Sequence, residues 1–143
     1  MDEVNLVIQQ GGTNLTTGEY DSSYTNRFVT DYIPLVSSSA VPFDLMGNTT
    51  YLYYVRYYNS NKEYLGRFDQ DNNAAGKYSG TLDIMTGGIY ANGILTLPTN
   101  YASNIAYIRL VGRTKEGTAD MIIDDVVGTN IKIGNTIYTY SSV

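Results

Sequence analysis

Nowhere in these 143 residues does an apolar pattern with a 3.6-residue period persist beyond two turns. A helix needs that period to bury one stripe against a core, whereas a half-buried strand needs a period of two. What recurs here is short apolar or aromatic runs cut by Gly, Asn, Ser and Pro. Tyrosine supplies 15 residues against three Phe and no Trp, and strong helix formers are few. Aromatic and β-branched residues fit pleated surfaces, and Gly and Asn serve the turns between them. The chain therefore reads as an all-β protein, one domain over residues 1–143, long enough to bury a core without staples. Many short strands at this spacing point to a β-sandwich or barrel. No internal repeat is visible.

The runs divide as follows. NLVIQQ turns at Gly11-Gly12, and a polar loop leads to RFVTDYIPLV, which alternates as a strand to Pro34. SSSAVPFDLMGNTT reads as a short strand or irregular edge, because Pro42 cannot donate to a central ladder. The long run Tyr51–Tyr58, the polar connection NSNK and EYLGRF form a hairpin. Residues 69–80 carry only turn and loop types, and TLDIMTGGIYANGILTLP supplies two or three short pieces broken by Gly87-Gly88 and Asn92-Gly93. IAYIRLVGR is the clearest strand. KEGTAD then turns the chain back into MIIDDVVG, and NIKIGNTIYTY closes as a hairpin about Gly134-Asn135.

Charge and missing residue types exclude several functions. A net charge of −5 with nine scattered basic residues argues against nucleic acid, which needs clustered Lys and Arg. No apolar run approaches the roughly 20 residues of a membrane helix. The MDEVNLVIQQ terminus has neither the basic nor the apolar region of a secretory signal. Its methionine fits a native start or a domain cut from a longer chain. With no Cys there is no disulfide framework or thiolate site. With no His, the usual general base and the commonest transition-metal ligand are missing.

Catalysis is not expected. Glycoside hydrolysis needs two carboxylates across the scissile bond. The candidates Asp69, Asp71, Asp83, Asp120, Asp124 and Asp125 sit mostly at turn-like positions, where such residues cap backbone N–H groups. No metal is expected either. The Asp, Asn and carbonyl oxygens of DQDNN, residues 69–73, are of the kind that suits a structural Ca²⁺, but the segment lacks the glycine and distal glutamate of an EF-hand loop.

The run YLYYVRYYNSNKEYLG holds six tyrosines in sixteen residues, with Arg56 among them. In IAYIRLV the period of two puts Ala106, Ile108 and Leu110 on one apolar face and Tyr107 and Arg109 on the other. In YLYYVRYY, one face holds Tyr51, Tyr53, Val55 and Tyr57, and the other Tyr54, Arg56 and Tyr58. With Val55 inward, two strands present Tyr and Arg away from the core. Tyr offers a ring for the C–H face of a sugar and a hydroxyl for its polar groups. Arg offers a fork for carboxylate or phosphate. In the plainer reading the arginines pair with Asp31 or Asp69 and the tyrosines merely cover the sheet.

The series RFVTDYIPL, YYNSNKEYLG and LTLPTNYASNIAYIRLV resembles the carbohydrate-binding modules of tail-tip and baseplate proteins of phages infecting Gram-positive bacteria. The matches fall on Arg27, Tyr32-Ile33, Tyr58-Asn59-Ser60-Asn61-Lys62 and Ala106-Tyr107-Ile108-Arg109-Leu110, within residues 5–127. The resemblance implies a jelly-roll-like antiparallel β-sandwich in the virion, without enzymatic activity or cofactor. It also implies binding to the cell-wall polysaccharide of a Gram-positive host. The expected saccharide site comprises Tyr54, Arg56, Tyr58, Tyr107, Arg109 and Arg27. Two departures stand out: an extra loop and hairpin at residues 69–93, and the absence of the tryptophan such modules often stack on sugars. The rival expectation is a structural sandwich that joins other tail or baseplate subunits through its Tyr-rich face.

Overall fold

The computed structural model describes residues 2–35, 40–48, 50–67, 77–78, 82–83, 88–89, 92–98 and 102–142. The candidate Ca²⁺ segment at 69–73 lies outside them, as does most of the expected extra loop and hairpin at 69–93.

Among the described residues, fifteen strands are formed. The first five are β1 (Asp2–Gln10), β2 (Gly12–Thr13), β3 (Tyr20–Asp21), β4 (Phe28–Thr30) and β5 (Ile33–Pro34). The next five are β6 (Ala40–Asp44), β7 (Tyr51–Tyr58), β8 (Tyr64–Arg67), β9 (Lys77–Tyr78) and β10 (Leu82–Asp83). The last five are β11 (Gly88–Ile89), β12 (Gly93–Thr96), β13 (Tyr107–Thr114), β14 (Asn130–Ile133) and β15 (Thr136–Ser142). A 3-10 turn spans Ala102–Asn104, and a short helix, α1 (Ile123–Val126), falls within MIIDDVVG. The protein is all-β, as its composition predicts. Among the described residues, no helix is long and apolar enough to cross a membrane.

Thirteen strands share one hydrogen-bonded sheet in the order β10-β11-β7-β13-β4-β1-β15-β14-β6-β12-β9, with β5 on β13 and β8 on β7. The ribbon β2–β3 stands apart. The sheet curls on itself like a sandwich, and one core is drawn from both of its halves. Phe28, Tyr53, Val55, Tyr57, Ile108 and Leu110 meet Val41, Phe43, Leu95, Ile131, Ile133 and Tyr140 there.

The expectation of an antiparallel sandwich needs one correction. β1 and β15 pair in parallel, from Asp2↔Thr136 to Ile8↔Ser142. A parallel pair needs a long connection, and here that connection is everything between the two strands. The expected strand in RFVTDYIPLV is broken into β4 and β5. Asp31 Oδ1 accepts the Tyr32 amide at 2.8 Å, and the Thr30 hydroxyl accepts the Leu110 amide at 3.0 Å. Such local side-chain bonds replace ladder bonds and interrupt a strand. Pro42 does not confine β6 to an edge, since β6 lies between β14 and β12. Its ladder to β14 uses only Phe43 and Asp44, so the missing Pro42 N–H leaves no gap, and the Pro42 carbonyl accepts Gly134 N at 2.8 Å.

The hairpins over NSNK and about Gly134-Asn135 form as the turns predict. The inward faces also follow the period of two: Tyr51, Tyr53, Val55, Tyr57, Ile108 and Leu110 all enter the core. Phe28 fills the space where Gly112 has no side chain. A Cβ there would sit 2.4 Å from Phe28 Cζ. The Phe28 ring makes edge contacts with Tyr51 and Tyr140, both at 5.4 Å, and with Tyr53 at 6.1 Å. Below it, Tyr53 and Tyr140 share a buried hydroxyl–hydroxyl hydrogen bond of 2.7 Å. Burial pushes both phenols well above their usual range.

Candidate functional site

The opposite face of β4, β7 and β13 carries the second periodic set. Register places Tyr58 beside Tyr107, Arg56 beside Arg109, Tyr54 beside Val111 and Leu52 beside Arg113. On the far side of β7, Arg56 also faces Arg67 of β8. Three arginines thus stand in one cross-strand row, an arrangement that repels unless each charge is otherwise compensated.

This face is not the open platform that alternation alone suggests. Arg56 and Tyr58 are each 1% exposed, Tyr54 is 6% and Arg109 is 7%. The cover is the segment 11–27, which holds the β2–β3 ribbon. Arg56 Nε donates to Thr13 Oγ1 at 3.0 Å, and the Tyr58 hydroxyl donates to the Gly18 carbonyl at 2.6 Å. A small apolar cluster of Val29, Leu52, Tyr54 and Val111 lies on the same face. Burial pushes the Tyr58 phenol up to about 12, although Arg109 nearby favours the phenolate.

The six expected site residues divide into two groups. Tyr58, Tyr107 and Arg109 gather around Tyr32, whose ring stands edge-on to Tyr58 at 5.0 Å and to Tyr107 at 5.9 Å. Arg109 lies 4.7 Å from the Tyr32 centroid, and Lys62 lies 5.0 Å from it. Arg109 Nε donates to the Thr30 carbonyl at 2.8 Å. Asp31, a partner for the arginines in the plainer reading, accepts its neighbour's amide, and Asp69 lies outside the described residues. Most of this group is consumed in packing.

Arg27, Tyr54 and Arg56 form the second group, and they line a cavity of about 390 Å³ together with Asn26, Arg113 and Glu116. The Tyr54 ring is its centre. The guanidinium carbons of Arg27, Arg56 and Arg113 lie 5.1, 5.5 and 5.7 Å from the ring centroid, all within cation–π range. Arg27 is also stacked on Tyr24 at 4.7 Å. Arg113 Nε donates to the Tyr54 hydroxyl at 2.8 Å, and its Nη1 donates to the carbonyls of Thr114 and Lys115.

Arg113 is not among the residues expected from the sequence, and neither are Asn26 and Glu116. A signal for Arg113 exists, since the outward series Tyr107, Arg109 runs on through Val111 to Arg113 by the same period. Gly117 completes the wall for a conformational reason. Its φ is +68°, and a Cβ there would lie 2.2 Å from Arg113 Nη1. The turn after β13 must be glycine for Arg113 to lie where it does. The Asn26 amide donates to the Gly117 carbonyl and ties this turn to the covering segment.

The electrostatics are one-sided. Among the described residues, Arg27, Arg113 and Glu116 form no ion pair, although Glu116 lines the cavity. By the triangle inequality on 5.1, 5.5 and 5.7 Å, no two of the three guanidinium carbons are more than 11.2 Å apart (5.5 + 5.7). At an effective dielectric near 20, the Arg27 and Arg113 charges, at most about 11 Å apart, repel by about 1.5 kcal/mol or more. A carboxylate or phosphate in the cavity would reverse that sign. Among the described residues, Glu116 is the single carboxylate lining it, and no three acidic groups gather as a metal site.

No protein-family description, curated protein or solved structure matches this sequence.

Proposed function

We propose that this domain is a non-catalytic saccharide-binding module that recognises cell-wall polysaccharide of a Gram-positive host as part of a phage tail or baseplate. The observation that carries the binding part is the Tyr54 ring set among Arg27, Arg56 and Arg113 in a cavity of about 390 Å³. Small-ligand sites fall in the range of about 300–1,000 Å³ and combine aromatic walls with a few convergent polar groups. Among the described residues, Glu116 is the one carboxylate lining the cavity, one short of the pair that glycoside hydrolysis uses, which supports binding without turnover. The phage and host assignments rest on the motif order Arg27, Tyr32-Ile33, Tyr58–Lys62 and Ala106–Leu110.

The second reading is assembly with neighbouring subunits. It is favoured by a groove of about 330 Å³ along β1, where exposed Val4 and Val7 border Pro34 and Tyr138. The two readings part in one experiment. The protein fused to a fluorescent reporter is offered to intact cells and to extracted wall polysaccharide from a panel of Gram-positive strains, alongside sedimentation of the protein alone. Strain-selective labelling that added polysaccharide blocks is the expected result. No labelling across the panel, with concentration-dependent self-association, would replace saccharide binding with assembly.

A further inference from the structure

From the same cavity we infer that the saccharide unit bound there is an acidic one, its carboxylate or phosphate group held among Arg27, Arg56 and Arg113. The inference rests on the saccharide reading and adds the chemical class of the ligand.

Three observations converge on it. Three of the nine basic residues of a chain with net charge −5 surround a single ring. Such a concentration runs against the overall charge balance of the chain. Arg27 Nε is buried without a hydrogen-bond partner, although its guanidinium stacks between Tyr24 and Tyr54. A guanidinium donor left unmade in this way points to an acceptor supplied from outside. Finally, the site is built. Arg113 is 8% exposed, and its guanidinium is held by the Tyr54 hydroxyl and two backbone carbonyls over Gly117.

Arginine suits this task because its fork pairs with both oxygens of a carboxylate or phosphate. The Tyr54 ring adds a flat apolar wall beside the charge. A bare ion would leave most of a 390 Å³ cavity to water, whereas an acidic monosaccharide uses the ring and the charge together. Glu116 acts against the ligand. Lying on the same wall, it holds the site below its full positive charge.

The test is calorimetric titration of the full chain with glucuronate, glucose 6-phosphate, glucose and inorganic phosphate at low and high salt. At least one of the two acidic sugars should bind tenfold or more tightly than glucose. Which of them binds decides between a uronate and a phosphate-bearing polymer. Binding should weaken tenfold or more in Arg27→Met, whose residue lies at the half-buried rim, and in Arg113→Gln, and it should strengthen about threefold in Glu116→Gln. Glu116→Gln removes an exposed charge and is expected to fold, so it keeps the test open if Arg113→Gln does not. Neither acidic sugar binding more tightly than glucose, or unchanged affinity in Arg27→Met and Glu116→Gln, would overturn the acidic-ligand inference while leaving saccharide binding in place. Inorganic phosphate binding as tightly as glucose 6-phosphate would keep the anion site and sink the saccharide reading.

Discussion

Replacing Gly112 with alanine tests the account of the core most directly. Gly112 lies on the inward face of β13 between Leu110 and Thr114, and its missing side chain is the space the Phe28 ring occupies. The new Cβ would stand 2.4 Å from Phe28 Cζ and 2.5 Å from Cε1, where carbon atoms rest at about 3.5–4.0 Å. The ring must therefore retreat by more than about 1 Å. Tyr51, Tyr53 and Tyr140 box it at 5.4, 6.1 and 5.4 Å, so the retreat strains a packed aromatic cluster.

Overpacking of this kind costs about 1–3 kcal/mol, and the upper end applies because the obstacle is a rigid ring with no rotamer of escape. In a chain of this size that lowers Tm by about 4–10 °C. Shrinking the ring should undo it. Phe28→Leu alone opens a cavity, whereas Gly112→Ala with Phe28→Leu partly fills that cavity. Urea unfolding of the four proteins should yield a favourable coupling of about 1–3 kcal/mol. Gly112→Ala within about 0.5 kcal/mol of the parent, or strictly additive single effects, would refute the packing described for Phe28.

Two further expectations follow from buried hydroxyls. Tyr53→Phe strands the Tyr140 hydroxyl in the core, 2.7 Å from where its partner stood, and should cost about 1–3 kcal/mol by denaturant titration. A neutral result would mean that water reaches the pair. Tyr58, raised to about 12 by burial, is un-ionised in the fold when the unfolded chain has begun to lose its proton near pH 10. The folded state then binds more protons, so stability falls as pH rises. The contribution is fully present below about pH 10 and is lost between about pH 10 and 12, by about 2–3 kcal/mol. Tyr58→Phe should flatten that window of the stability profile, and an unchanged slope would assign the loss to other tyrosines.

Much of the molecule is legible in the sequence alone. A period of two, turn residues at Asn59–Lys62 and Gly134-Asn135, and the lack of helical periodicity determine strands and hairpins. These are local properties, decided by where successive side chains point and which residues tolerate a turn. The same periodicity sorts Val55, Ile108 and Leu110 inward and Tyr54, Arg56, Tyr58 and Arg109 outward. The sorting is reliable here because both faces of β7 and β13 obey the pleat whatever lies above them.

Tertiary structure alone decided what lies above them. Periodicity says that Arg56 points away from the core, yet it carries no information about the segment 11–27, which folds over that face and buries it through Thr13 and Gly18. Nor does spacing reveal that Arg27, Arg56 and Arg113, from three separate strands and their approaches, converge on one tyrosine ring. Such convergence is fixed by sheet register, and register is a property of pairs of strands distant in the chain. The parallel union of β1 with β15 is of the same kind. Local sequence determined which way each side chain faces, and long-range pairing determined which of them meet.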